Sequence, residues 1–318
     1  MKAAIVREIG ISPVYGEFEE PTAAAGEVRV EVAASSLSNL TRGRASGAHY
    51  SFAAKPPFIP GVDGVGRVDT GERIYFFMPR APFGGMAERT VVKSDHTVPI
   101  PDALDDATAA ALPNAGMASW IALVERAKFV VGETVLVNGA TGIPGRLAVQ
   151  IAKHLGAKRV IATGRNTMAL AELATVGADA TIPLTGDWDA DQKAFEQHFA
   201  AGVDVVLDFL WGPSARHLLA AAANTGRGEV PLRFVHIGGA SGPEISLPGS
   251  VLRSSAIQLM GSGLGSVAIE RILVSIRELL AAAVPAGLQI ATLVLALEEV
   301  ERGWSDTASM QRIVFRMN

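Results

Sequence analysis

The sequence predicts an α/β protein: a β-rich domain into which a doubly wound, six-stranded parallel sheet is inserted. Three observations predict it. Residues 1 to about 100 are short β-like runs punctuated by Gly, Pro and Asp; from Glu133 onward strands and helices alternate; after Gly261 that rhythm stops and strand-like text returns.

The first runs are "KAAIV", "GEVRVEVAAS", "GVGRVDTGERIYFF" and "MAERTVV", as in a small barrel or folded sheet. From Asp105 the helix-rich "DDATAAALPNAGMASWIALVERA" follows, ending near Val131, and a domain boundary is expected within it, at 117/118. Strands are expected at 134–138, 159–163, 180–183, 203–208, 233–237 and 257–261. Between the first two, Ile143, Leu147, Ile151 and Leu155 form one apolar helical stripe, with Pro144 in its opening turn and Gly156 after its end. "TMALAELATVG" stops at Gly177, and "QKAFEQHFAAG" places Phe195 and Phe199 four apart. A helix near 267–283, then "LQIATLVLAL" and "RIVFRM", complete the first domain, giving domains of 1–117, 118–262 and 263–318.

An apolar share of 49% in 318 residues is ample for sizeable cores. The 28 Lys and Arg against 32 Asp and Glu leave a net charge of only -4 with no basic run, so nucleic acid is not an expected partner. No unbroken apolar stretch approaches the roughly 20 residues of a membrane span, and "MKAAIVREIG" is charged too early for a secretory signal. No membrane association and a cytoplasmic location are expected. The absence of cysteine excludes disulfides, thiol nucleophiles and Cys-based zinc sites.

"VLVNGATGIPG" carries a dinucleotide-type turn between strand and helix, with Ala140, Gly142 and Gly145 in the three glycine slots. The phosphates of a cofactor would then sit over Thr141, Gly142, Ile143, Pro144 and Gly145, although Pro144 has no N–H to give. Where a carboxylate would hold the ribose of NAD stands Gly164-Arg165-Asn166, which leaves room for a 2′-phosphate and favours NADPH. A glycine turn serving packing alone, and a merely solvated Arg165, are the alternatives. Gly238, Gly239, Gly261 and Ser262 fall at strand carboxyl ends where the nicotinamide half would rest, and Ser119 is either a further cofactor contact or a helix-interior serine.

Over nearly its whole length the chain resembles the zinc-free medium-chain dehydrogenases/reductases of the quinone oxidoreductase branch. The resemblance rests on "MKAAIV", "GEVRVEVAASSLSNLTRG", "PPFIPGVDGVGRV", "GERIYFF", "GGMAERTVV", "IPDALDDATAAALPNAGMASWIAL", "VLVNGATGIPGRLAVQIAKHLGAKRVIAT" and "VDVVLDFLWGPSARHLL". It implies a GroES-like catalytic domain split around a Rossmann domain, and NADPH-dependent hydride transfer to a small apolar carbonyl or quinone. Zinc relatives keep a Cys within what is here "SSLSNLTRG" and a His-Glu pair where Val62-Asp63 stands, so no metal is expected. Donors to the substrate oxygen would be Tyr50, Ser38 or Asn39, with His49 adjacent. Tyr50 could equally be a lid or wall, and Ser38 the cap of a short helix. Tyr50, Phe52, Phe83 and Trp211 are expected walls; His96, His154, His198, His217 and His236 show no ligand spacing and read as structural or solvated. Family habit implies a homodimer through 257–261. The rival reading is a non-catalytic NADPH-binding sensor or structural protein on the same fold.

Overall fold

A computed structural model describes residues 1–51, 54–225 and 228–317. The chain divides into two compact units: Met1–Ala115 with Ile269–Asn318, and Gly116–Ala268. The divisions fall at 115/116 and 268/269, where the sequence reading sets 117/118 and 262/263. Phe52 lies outside the described residues.

The first unit opens with β1 (Lys2–Ile5) antiparallel to β2 (Val14–Glu17). Then come β3 (Glu27–Ser36), α1 (Asn39–Ala45), β4 (Asp63–Val68), β5 (Arg73–Phe77), β6 (Arg89–Lys93), β7 (Thr97–Pro99) and α2 (Asp106–Ile121). In β3 Val30, Val32 and Ala34 are buried while Arg29 and Glu31 are exposed, the period-two burial of a half-covered strand. The helix begun by α2 continues as a π turn through Arg126, closed by Ala127 N donating to Ala122 O at 2.8 Å. Over Asp106–Arg126 this helix is long and apolar enough to cross a bilayer, with mean hydropathy 1.3, although the sequence reading finds no span there. Yet 72% of that window is buried inside the fold, as in a core helix.

In the second unit β8 (Thr134–Asn138), α3 (Ile143–His154), β9 (Arg159–Gly164), α4 (Thr167–Glu172), β10 (Ala180–Pro183) and α5 (Trp188–Ala200) are followed by β11 (Val205–Asp208), α6 (Gly212–Thr225), β12 (Leu232–His236), α7 (Gly249–Arg253) and β13 (Ile257–Gly261). All six strands are parallel, in the order β10-β9-β8-β11-β12-β13. This is the doubly wound sheet that the strand–helix alternation predicts. Every residue of β8 and β11 is buried, as parallel strands covered on both faces require. On one face Phe195 and Phe199 of α5 and Leu218 and Leu219 of α6 pack on Leu136, Val206 and Phe234. The crossovers reverse direction between β8 and β11, so their carboxyl ends form the topological switch point, where such sheets bind ligands.

The chain then returns to the first unit through α8 (Ile269–Ala283), β14 (Thr292–Ala296), α9 (Val300–Ser305) and β15 (Arg312–Arg316). There the main sheet runs β14-β15-β3-β4-β5-β7, with β6 also paired to β3. Val30, Val32, Ile74, Val91, Ile313 and Phe315 anchor its core.

Candidate functional site

The turn after β8 is made by a glycine that the sequence reading does not assign. Gly139 has φ +90°, while Ala140, the slot expected to hold the tight turn, has no left-handed φ. A side chain at 139 would also press a Cβ to 2.8 Å from Leu210. At Gly145 a Cβ would lie 2.2 Å from Gly139 O, so only glycine lets the helix pack this close to the strand. Gly142 is the N-cap of α3 and has no side chain to accept from the first-turn N–H groups. That end of the helix therefore keeps N–H donors and positive dipole for an anion, Pro144 excepted. A nicotinamide dinucleotide fits this cradle.

Thr141 packs on the end of β9, where a Cβ on Gly164 would lie 2.5 Å from Thr141 Cγ2. Arg165 and Asn166 are exposed. Asn166 is committed, since its Oδ1 caps α4 by accepting from Ala169 N at 3.0 Å. Arg165 makes no hydrogen bond or ion pair among the described residues, and no carboxylate stands within 164–166.

The last residues of β8, β11 and β12 and the next-to-last of β9 form a row of polar side chains across the switch point, in register as Thr163↔Asn138, Asn138↔Asp208 and Asp208↔His236. Thr163 Oγ1 donates to Asn138 Oδ1 at 2.7 Å and accepts from Gly139 N at 3.2 Å. Asn138 Nδ2 donates to Asp208 Oδ1 at 2.7 Å and to Ser214 Oγ at 3.0 Å. The Asp208 carboxylate also accepts from Leu210 N and Trp211 N, each at 3.1 Å. These bonds hold Trp211 at φ +56°, a left-handed conformation that a bulky residue adopts only under constraint. His236 ends the row, its Nδ1 3.4 Å from Asp208 Oδ2 and its ring centroid 4.4 Å from that of Trp211. Beyond the strands the two turns are joined, with Ile237 N donating to Asp208 O and Ser241 N to Leu210 O, both at 2.7 Å. Gly238 lies close against Phe209, where a Cβ would be 3.1 Å from its carbonyl oxygen, and Gly239 is exposed.

Sequence reasoning misses Asn138, Thr163, Asp208 and His236 as a group. They are far apart in the chain, and only parallel register brings them side by side. Of the other expected cofactor residues, Gly261 O accepts from Arg126 Nε at 2.8 Å and Ser262 N donates to His236 O at 2.8 Å. Ser119 is fully buried and its hydroxyl has no hydrogen-bond partner among the described residues.

In the first unit, Ser38 is the N-cap of α1, accepting from Thr41 N at 3.0 Å, so its hydroxyl serves the helix. Asn39 is exposed at the start of α1. Tyr50 is 72% exposed and stacks on His49 with centroids 4.3 Å apart. His49 Nδ1 lies 2.8 Å from Ser51 Oγ, and burial, with the Arg44 guanidinium nearby, pushes its imidazole below its usual range. Phe83 is buried, edge-on to Phe18. Asp63, where zinc relatives keep a ligand, is fully buried and accepts from Tyr75 OH at 2.7 Å. Burial pushes its carboxyl up to about 7, against the opposing effects of Tyr75, Arg312 and Asn114. Ser38 and Val62 carry neither thiolate nor imidazole, and no group of three His, Cys, Asp or Glu that could hold a metal ion is found among the described residues.

Residues 145–280 match the family described as zinc-binding dehydrogenase. The chain is 28% identical over 297 residues to a probable NADPH-dependent quinone reductase, tdiC, of Emericella nidulans, covering 80% of this chain and 82% of that protein. It is also 28% identical over 193 residues to mouse prostaglandin reductase-3, covering 57% of this chain and 49% of that protein. Among solved structures, the quinone oxidoreductase of Thermus thermophilus, known also in complex with NADPH, is 29% identical, with a TM-score of 0.81 over 99% of this chain and 100% of that one. The glycine cradle, the switch-point sheet and these relatives together support a medium-chain dehydrogenase/reductase of the quinone oxidoreductase branch.

Proposed function

We propose that the protein is a zinc-independent, NADPH-dependent reductase that acts on a quinone or an α,β-unsaturated carbonyl. The observation that carries this reading is Arg165: an exposed guanidinium with no partner among the described residues, at the end of β9, with no carboxylate beside it. The named activities of the Emericella and Thermus relatives support the same substrate class.

Bound NADPH would supply a hydride to the electron-poor carbon of the substrate. The protein's own part is to bind, orient and balance charge. Gly142, Ile143 and Gly145 at the start of α3, with Thr141 beside them, would hold the pyrophosphate; Gly164, Arg165 and Asn166 would face the 2′-phosphate, Arg165 making the paired charge-assisted bonds. Gly238, Gly239, Gly261 and Ser262 would lie under the nicotinamide half. In the first unit Tyr50 and Asn39 are the exposed donors for charge growing on the substrate oxygen, since Ser38 is engaged as a cap. β13 is the outer strand of its sheet, and pairing of this edge with a second copy would give the homodimer, which a solution mass would check.

The test is a pair of fluorescence titrations at one salt concentration. NADPH is expected to bind at least about tenfold more tightly than NADH, and Arg165→Ala should remove most of that preference. Equal affinities in the unaltered protein would overturn the phosphate assignment. NADPH binding without its consumption across a panel of quinones and enones would select the sensor reading.

A further inference from the structure

The polar row at the switch point ends in a side chain whose setting differs from that of its neighbours. Thr163, Asn138 and Asp208 are wholly buried and hydrogen-bonded to one another, whereas the His236 side chain is 35% exposed. Its Nδ1 is nevertheless buried and faces Asp208 at 3.4 Å, within ion-pair reach but not aligned as a hydrogen bond. The exposed part of the ring is therefore the opposite edge, which carries Nε2. One face of the ring lies on Trp211, tilted by 36°. Trp211 is in turn fixed by the hydrogen bond from its own N–H to Asp208. Asp208 thus meets both members of an aromatic pair, binding Trp211 through its backbone N–H and facing His236 at 3.4 Å, at the carboxyl edge of β11 and β12, with His236 two residues before Gly238.

We propose that His236, oriented by Asp208 and backed by Trp211, is a positioning residue at the nicotinamide end of the cofactor site, where its protonated form discriminates against the oxidised cofactor. The inference rests on the reading of Gly238 and Gly239 as the nicotinamide rest. The chemistry is a difference of charge. The nicotinamide ring is neutral in NADPH and cationic in NADP⁺, so an imidazolium beside it repels only the oxidised form. Protonation of His236 then favours release of NADP⁺ over release of NADPH. The charged groups that face this position are Asp208, whose Oδ2 lies 3.4 Å from His236 Nδ1, and the guanidinium of Arg126, which donates to the carbonyl of Gly261, in register with His236 on β13; the turn after β11 presents Trp211 and α6 presents Ser214 to the row.

Dissociation constants for NADPH and NADP⁺ should be measured by calorimetry from about pH 8 down to about pH 5.5. In the unaltered protein the ratio Kd(NADP⁺)/Kd(NADPH) is expected to rise about tenfold as the pH falls, the size of a charge–charge effect at a few ångströms under strong dielectric screening. In His236→Gln, and in His236→Ser should the glutamine variant fail to fold, the ratio should be flat. A flat ratio in the unaltered protein, or a pH dependence that survives in either variant, overturns the proposal while leaving the reductase reading in place. Binding of neither form at any pH would remove the cofactor reading, and the role of His236 with it.

Discussion

Two buried aspartates, one in each unit, meet the same physical demand in different ways. Asp208 and Asp63 are both fully buried. Around Asp208 the parallel sheet and the turn beyond it supply the Asn138 amide, the backbone N–H groups of Leu210 and Trp211, and the imidazole of His236. Around Asp63 one hydroxyl, that of Tyr75, reaches Oδ2, and Oδ1 has no hydrogen-bond partner among the described residues. The Arg312 guanidinium acts on Asp63 through its charge, but its Nη1 donates to Leu37 O at 2.9 Å. Burial itself drives the Asp63 carboxyl to about 7, and also pulls the Arg312 guanidinium down, against the favourable field of Asp63. Donors aimed at a buried carboxylate oppose the upward push of burial, and around Asp63 few are so aimed.

The most severe way to break this contrast is Asp208→Ala. It strands the Asn138 amide and two backbone N–H groups in a buried site and releases the constraint on Trp211. A loss of about 3–5 kcal/mol is expected, in the range seen when one member of a buried charged network is removed. Urea unfolding would measure it. A loss under about 1 kcal/mol would mean that the donors find other partners and that the row across the strands is not what secures this edge.

Asp63 sharpens the contrast through pH. Its folded value of about 7 stands above the ordinary 3.8 of the unfolded chain. Below about pH 4 the group is protonated in both states and carries no penalty. As pH rises from there toward 7, the unfolded chain releases this proton while the folded protein retains it, so stability is lost progressively and then levels off. The full difference amounts to roughly 4 kcal/mol, at about 1.4 kcal/mol per pH unit. Asp63→Asn should remove this dependence, so that its stability relative to the unaltered protein improves between pH 4 and 7. The same relative stability at both ends of that window would place Asp63 among better donors than Tyr75 alone.

How much of this was legible in the sequence follows from the range of the interactions. The α3 stripe of Leu147 and Ile151 was legible because its burial repeats with the helical period, and the six strands because they are short apolar runs alternating with helices. The glycine cradle was half legible: Gly142 and Gly145 stand in the expected slots, but the turn is made by Gly139, and the sign of a φ angle is not written in the spacing of glycines. The row from Thr163 to His236 was not legible, since nothing near His236 in the chain signals Asp208. Each member reads alone as an ordinary polar residue at a strand end, and the constellation exists only once the crossovers have set the register. Ser38 was legible in both its senses, as a donor for the reaction and as a helix cap, and the structure shows the hydroxyl engaged in the second.

Ser38 provides the smallest and most discriminating test, because it satisfies its hydroxyl within one turn of chain where Asp208 draws its partners from neighbouring strands. Its Oγ accepts from Thr41 N at 3.0 Å and lies 3.1 Å from Thr41 Oγ1. Ser38→Ala leaves that N–H without its acceptor at a buried helix start and should cost about 1 kcal/mol, the usual worth of an N-cap, read as a lowered thermal midpoint. Ser38→Asp, which keeps an acceptor in place, should recover part of it. In the same variants kcat with a quinone should change by less than about twofold, since an interaction that serves only the helix contributes nothing to the transition state. A fall in kcat of about tenfold or more in Ser38→Ala, with stability restored to normal by added cofactor, would show that the hydroxyl leaves its cap during turnover and touches the substrate oxygen. The local and the cross-strand ways of satisfying buried polar groups would then differ in a further respect: a cap formed within one turn can be given up during the reaction, whereas the row around Asp208 is held by four strands at once.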